Sequence, residues 1–223
     1  MTKKVINIAI DGPAGSGKST VAKILSEKMN LVYLDTGAMY RAIAYYFLEN
    51  GIQPHETEKI NNMIDDIELS IDYIDNKQHV FINGIDVTNK IRTNEISMGA
   101  STISKNPIVR IKLVTIQREI AAQCNCVLDG RDIGSYVLPN ANVKIYLTAK
   151  PEVRAQRRNK ELMEKGAEDN FQTILQEIKT RDHQDMTRDF APLICTEDAV
   201  QIDTSGLSID EVVARIEKIC TEL

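Results

Sequence analysis

The chain has 223 residues, 43% hydrophobic and 26% charged, which is ordinary for a soluble protein and long enough for one large α/β domain with insertions. Its net charge of -5 argues against general nucleic-acid binding, which draws on a basic surplus, while leaving small anionic substrates open. No apolar run approaches the ~18 residues of a membrane span, and the short one after Thr2-Lys3-Lys4 runs straight into a glycine-rich loop, so neither a membrane partner nor a cleaved export signal is expected.

The first predicted element is a buried strand over Val5–Ile10. It leads into Gly12-Pro13-Ala14-Gly15-Ser16-Gly17-Lys18-Ser19, which matches the phosphate-loop pattern G-x-x-x-x-G-K-[ST], and a helix is predicted from Thr20 to Lys28. Glycines let such a loop curl until several N–H groups point into one concavity, and the helix behind it adds its positive end. Lys18 then supplies a mobile cation for the β- and γ-phosphates, and the Ser19 hydroxyl can hold Mg²⁺. The strand–loop–helix setting distinguishes this from a mere glycine-rich connection and predicts binding of a nucleoside triphosphate.

A second strand, Leu31–Leu34, ends in Asp35-Thr36-Gly37, with Thr36 at a helix entrance and Arg41 one turn inside. Arginine can grip a phosphate with two parallel hydrogen bonds; the plainer reading makes Asp35 and Thr36 caps and Arg41 a solvated side chain. Within about 68–87, Leu69–Ile74 and His79–Ile82 are short strands, with Asp75-Asn76-Lys77-Gln78 between them and Asn83-Gly84 after, so a small antiparallel insert is expected. His79 is read as a sheet-surface residue. Asn76-Lys77-Gln78-His79 resembles the guanine-reading N-K-x-D element but lacks its aspartate.

Val109, Leu113, Ile116 and Ile120 keep helical spacing, which predicts a helix laying that face on the sheet. Strand Cys126–Leu128 is followed by Asp129-Gly130-Arg131-Asp132: Asp129 has the place of an acidic strand end that organises Mg²⁺, and Arg131 with Asp132 could also be a structural pair. After strand Val143–Leu147, a helix from Pro151 carries Arg154, Arg157 and Arg158 on one face, Lys165-Gly166 breaks it, and a further helix presents Arg181, Asp185 and Arg188 on one side. Strand Ala199–Ile202 and a helix capped by Ser208 and Glu211, with Ile209, Val212, Val213 and Ile216 in a stripe, complete the alternation of a parallel sheet covered by helices. The four cysteines, Cys124, Cys126, Cys195 and Cys220, show no zinc-type spacing and are read as buried reduced thiols.

The arginines have an electrostatic rationale. Two like charges 4 Å apart repel by about 1 kcal/mol in water and about 4 kcal/mol at an effective dielectric of 20. A second phosphate brought beside a triphosphate therefore needs several cations, and an acceptor that is already a phosphate dianion needs no general base. No histidine among His55, His79 and His183 stands out as one.

Together, I-D-G-P-A-G-S-G-K-S-T at 10–20, L-D-T-G-A-M-Y-R at 34–41, D-G-R-D-I-G at 129–134 and R-D-x-x-D-x-x-R running to A-P-L at 181–193 resemble the bacterial cytidylate kinases, over essentially the whole chain. The resemblance implies a phosphate-loop NTPase-type parallel β-sheet flanked by helices, as a single kinase unit with a core at 1–62 and 103–223. It further implies a monophosphate-binding insert at about 63–102 and a closing helical lid at about 154–182. The implied activity is transfer of the γ-phosphate of ATP to CMP or dCMP with Mg²⁺, in the cytoplasm, by a monomer that takes small nucleotides and neither a nucleic-acid polymer nor a membrane.

Carried over residue by residue, Gly12, Pro13, Ala14, Gly15, Ser16, Gly17, Lys18, Ser19, Thr20 and Arg157 would hold ATP, with Ser19 on Mg²⁺ and Asp129 behind it. Thr36, Arg41 and Arg131 would line the acceptor site, and Ser101, Arg110 and Asp132 would read cytosine. Asp185, Arg181 and Arg188 would engage sugar and phosphate, and Arg157 and Arg158 would belong to the lid. Lys18, Arg131, Arg157, Arg158, Arg181 and Arg188 would carry the transfer. Cytosine suits an Asp132 acceptor and an Arg110 donor, whereas uracil offers the opposite pattern. Two other readings stay open at this level: a different small-molecule phosphate-loop kinase, and a nucleotide-dependent switch module.

Overall fold

The structure is a computed structural model and describes residues 5–164 and 170–222. The chain divides into two compact units, 34–122 and the remainder. The larger unit is built on strands β1 (Asn7–Asp11), β2 (Val32–Asp35), β6 (Cys126–Gly130), β7 (Val143–Thr148) and β8 (Val200–Asp203), in the order β2-β6-β1-β7-β8. The chain passes into the other unit within β2. β1 pairs in parallel with both β6 and β7, as β7 does with β8. A strand inside a parallel sheet is covered on both faces, which is why Cys126, Val127 and Leu128 of β6 are apolar in succession without alternation and all five positions are buried. Helices α1 (Lys18–Met29) and α8 (Ile209–Thr221) contribute Val21, Ala22, Leu25, Val212, Val213 and Ile216 to one core with Ile8, Ile10, Val127, Ile145 and Leu147 of the strands.

The predicted strands are all present, displaced by one or two residues, and the first helix starts at Lys18 rather than Thr20. The capping box of α8 forms as expected: Ser208 accepts from the Glu211 amide, and the Glu211 carboxylate accepts from the Ser208 amide. The remaining helices of this unit are α6 (Pro151–Glu164) and α7 (Phe171–Thr187), joined in a small core of Ala155, Ile174 and Ile178. The helix break expected at Lys165-Gly166 lies outside the described residues. Arg188 is not on α7 with Asp185, as its spacing had suggested; it follows the helix in an extended conformation, with ψ 142°.

The smaller unit holds α2 (Thr36–Glu49), α3 (Thr57–Met63), α4 (Asn94–Ile103), α5 (Pro107–Gln123) and a three-stranded antiparallel sheet of β3 (Leu69–Ile74), β4 (Lys77–Ile82) and β5 (Ile85–Asp86). Its tight turns form as expected, the first shorter by two residues than the four read from the sequence. Ile74 faces Lys77, and Ile82 faces Ile85, so each loop has two residues, Asp75-Asn76 and Asn83-Gly84. All four have positive φ, the requirement of the hairpin turn that matches strand twist. Lys77 and Gln78 thereby join β4. His79 lies on the sheet surface, its Nδ1 2.7 Å from Asp86 Oδ2, and Thr88, followed by His79, holds the Asp86 carboxyl down at about 2.

The buried stripe of α5 is Val109, Arg110, Leu113, Val114, Gln117 and Ala121. The apolar series therefore misplaced this face: Ile116 and Ile120 are only half-buried, while an arginine and a glutamine lie inside. The cysteines are free, but only Cys126 is buried; Cys124 and Cys220 are half-buried and Cys195 is exposed, which corrects the expectation of burial for all four. No helix among the described residues is long and apolar enough to cross a membrane.

Ser208→Ala removes one partner of the α8 capping box. It should cost about 1 kcal/mol and lower Tm by about 2–4 °C in a chain of this size; calorimetry showing an unchanged Tm would count against the cap.

Candidate active site

The phosphate loop leaves the carboxyl end of β1, the central strand, where ligands of open α/β sheets bind. Only glycine fits at its first position: Gly12 has φ 146°, and a Cβ there would lie 1.9 Å from the Leu147 carbonyl oxygen. Gly17, at φ 92°, turns the chain into α1. Four successive loop carbonyls are engaged by side chains. The Pro13 carbonyl accepts from Lys18 Nζ at 2.7 Å, that of Ala14 from Arg154 Nη1 at 3.1 Å, that of Gly15 from Arg157 Nη1 at 3.5 Å, and that of Ser16 from the Thr204 hydroxyl at 3.2 Å. With its carbonyls held in this way, the loop has N–H groups to offer an anion. Burial and the nearby Arg131 charge push the Lys18 ammonium well below its ordinary range, so an arriving phosphate would relieve it.

Asp129 closes β6 beside the loop, as its position suggested. Its Oδ2 accepts from Ser19 Oγ at 2.7 Å and its Oδ1 from the Tyr33 hydroxyl at 2.8 Å. These are hard oxygen donors, and few: among the described residues no group of three or more His, Cys, Asp or Glu could hold a metal. Such a sparse set fits Mg²⁺, which keeps waters and substrate phosphate oxygens as most of its ligands.

Past β6, Arg131 and Asp132 do not pair with each other but with α7 and the segment behind it. Arg131 Nε donates to Asp185 Oδ2 at 2.8 Å, while Arg188 lies 3.4 Å from Asp132 and 3.9 Å from Asp185. Burial alone would raise the Asp185 carboxyl, yet Arg131, Arg181 and Arg188 together hold it below its usual value. Burial opposes the charge on Arg131, but Asp185, with Asp129 and Asp11, outweighs it and keeps the guanidinium up. Arg188 is steadied by its Nε bond to the Ala191 carbonyl at 2.7 Å. Ala191 is itself a non-glycine residue at φ 50°. Next to it, Phe190 packs edge-on against Tyr136.

On α6 the three arginines diverge. Arg154 is buried and grips Asp182 of α7 with both terminal nitrogens, Nη1 at 2.9 Å, while its Nε donates to the Ala149 carbonyl at 2.8 Å. Arg157 lies along Thr204, donating to its carbonyl at 2.6 Å, and Arg158 is half-buried beside Glu161, its side chain 39% exposed. Thr20, like Ser19, is on the exposed side of α1.

Within 34–122, Thr36 is buried at the start of α2 behind its Asp35 cap, and Arg41 Nη2 is 2.9 Å from Asp35 Oδ2. Gln78 of β4 brackets the Asp35 backbone, accepting from its amide at 2.6 Å and donating to its carbonyl at 3.2 Å. Arg110 is buried on α5, donates to the Ser104 carbonyl at 3.0 Å and lies 5.3 Å from the Tyr40 ring centroid. Ser101 is half-buried on α4.

Sequence reasoning missed Asp11, Tyr33, Gln78, Thr204 and the Arg154–Asp182 pair. Asp11 had one local signal, an acid directly before Gly12; the others had none, because their partners are remote in the chain.

A phosphate loop on the central strand, an acid beside its serine and an arginine–aspartate array define a phosphate-loop kinase. A family profile described as Cytidylate kinase matches residues 8–222. The cytidylate kinase of Caldicellulosiruptor bescii is 51% identical, over 96% of this chain and 94% of its own. That of Enterococcus faecalis is 50% identical, over 96% and 95%. The chain belongs to the cytidylate kinase family. An uncharacterized protein from Eubacterium ventriosum shares the fold, with a TM-score of 0.55 at 16% identity over 99% of this chain and 100% of that one.

Two outcomes follow from the geometry. Arg154→Ala strands the Asp182 carboxylate and should cost about 3–5 kcal/mol in urea unfolding, whereas Arg158→Ala should stay within about 0.5 kcal/mol; equal effects would contradict this difference in burial. Burial raises the Asp11 carboxyl from 3.8 to about 6, against the pull of the Gly134 and Ile133 amides. The folded state then holds this proton more tightly than the unfolded chain, so the Asp11 contribution to stability falls as pH rises from about 4 to about 6. Its carboxyl carbon should titrate in NMR with a midpoint near 6; a midpoint below 4 would refute that.

Proposed function

We propose that this protein transfers the γ-phosphate of ATP to CMP or dCMP, giving ADP and CDP or dCDP, with Mg²⁺. Family membership supports the reaction class, and the observation that carries the reading is the array of Arg131, Asp185, Arg188 and Asp132. With Arg181 also near Asp185, three arginines stand against two aspartates, and this positive excess suits a phosphate dianion. Such an acceptor needs no base.

Gly12 to Thr20 cradle the ATP phosphates, and Lys18 leaves the Pro13 carbonyl to meet them. Mg²⁺, held through Ser19 with Asp129 behind it, supplies charge neutralisation for the β- and γ-phosphates. Arg131, Arg181 and Arg188 hold the acceptor phosphate, Asp185 orients them and meets the sugar, and Asp132 accepts the exocyclic amine of cytosine. In the smaller unit, Thr36 and Arg41 serve the acceptor nucleotide, while Ser101 and Arg110 donate to the acceptor atoms of its base. Arg157 and Arg158 act from the lid. We further assign the insert to monophosphate binding, and a cytoplasmic, monomeric state to a protein whose partners are small nucleotides alone, with neither a nucleic-acid polymer nor a membrane.

The test is a coupled assay with CMP, dCMP, UMP and AMP, on the wild type and two variants. CMP and dCMP should be preferred. Arg188→Ala and Asp132→Ala should each lower kcat/KM for CMP by about 100-fold or more, with the ATP dissociation constant changed less than about 3-fold. Near-wild-type turnover in both variants, or preference for another acceptor, would overturn the proposal.

A further inference from the structure

Asp132 stands just before the π-helical turn Ile133–Val137, where an aspartate ordinarily accepts from the amides that follow it. Its side chain does not cap this turn. Asp11, more than 120 residues earlier, does so instead: the Ile133 amide donates to Oδ1 at 2.8 Å and the Gly134 amide to Oδ2 at 2.7 Å. We propose that Asp11 is a positioning residue for the acceptor nucleotide, capping the turn in place of Asp132 so that the Asp132 carboxylate is directed to Arg188 and to the base. This rests on the acceptor role given to Asp132 above.

Three observations support it. Asp11 is only 5% exposed, and a carboxylate is costly to bury unless its oxygens are bonded, as both are here. The fit is close: a Cβ on Gly134 would lie 3.4 Å from Asp11 Oδ2 and 3.2 Å from the Lys144 side chain. Asp11 also ends the strand that carries the phosphate loop, so one side chain holds the acceptor-side turn in register with that loop.

Asp11→Asn separates positioning from bulk. An asparagine can accept one amide, but its NH₂ then faces the other donor, and Asp132 falls back to cap its own turn. The preference for CMP over UMP in kcat/KM should drop about 10-fold, through the acceptor KM, while the ATP KM changes less than about 3-fold. Asp11→Glu keeps the carboxylate but moves its oxygens by one methylene from the two amides, so it should lower the preference by about 3-fold; it decides the matter if Asp11→Asn proves insoluble. Wild-type preference retained in the soluble variants overturns this role and leaves the proposed function standing. Failure of the wild type to phosphorylate CMP overturns that function, and this role with it.

Discussion

Between Gly12 and the Leu147 carbonyl there is no room for a single carbon atom. The approach of the loop to the neighbouring strand makes glycine obligatory where β1 ends, and the chain must curl at that point. Everything at the site is arranged around the curl. Lys18, Arg154, Arg157 and Thr204 hold successive carbonyls of the loop, Asp129 holds Ser19, and Asp11, directly before the glycine, reaches the turn behind Asp132. The backbone dipoles of the loop are thus held in place by the fold itself.

The same arrangement concentrates buried charge at the carboxyl ends of the strands. Lys18 is buried below its ordinary basicity, and one carboxylate, Asp185, is shared among Arg131, Arg181 and Arg188. Ion pairs within the chain hold Arg131 and Arg188 in place. Arg154 plays a different part from its helix neighbours Arg157 and Arg158. Buried against Asp182, it ties α6 to α7 and to the phosphate loop, and is structural.

Local patterns were legible wherever one residue type has one physical use. The loop motif, the Ser208–Glu211 cap, the parallel strands and the acid at the end of β6 all belong to this group. Patterns failed where identical spacing allows two outcomes. The apolar series on α5 ran partly along the half-buried side because Arg110 and Gln117, polar by composition, occupy its buried stripe. The first hairpin loop read as longer than it is because Lys77 and Gln78 are polar and did not register as strand, yet pair in register. Arg188 kept helical spacing with Asp185, though the helix stops at Thr187 and Ala191 turns the chain back toward the guanidinium.

By itself, the amino-acid sequence determined the phosphate loop, the alternation of strand and helix, and the kinds of side chain that chemistry on phosphates demands, since these depend on neighbours within a few positions. Tertiary structure alone decided who meets whom: Arg131 with Asp185 rather than Asp132, Asp182 with Arg154, and Asp11 with the amides after Asp132. The reason is physical. A charge buried by folding must find a partner within about 3–4 Å, and which group lies at that distance is set by the stacking of strands and helices far apart in the chain.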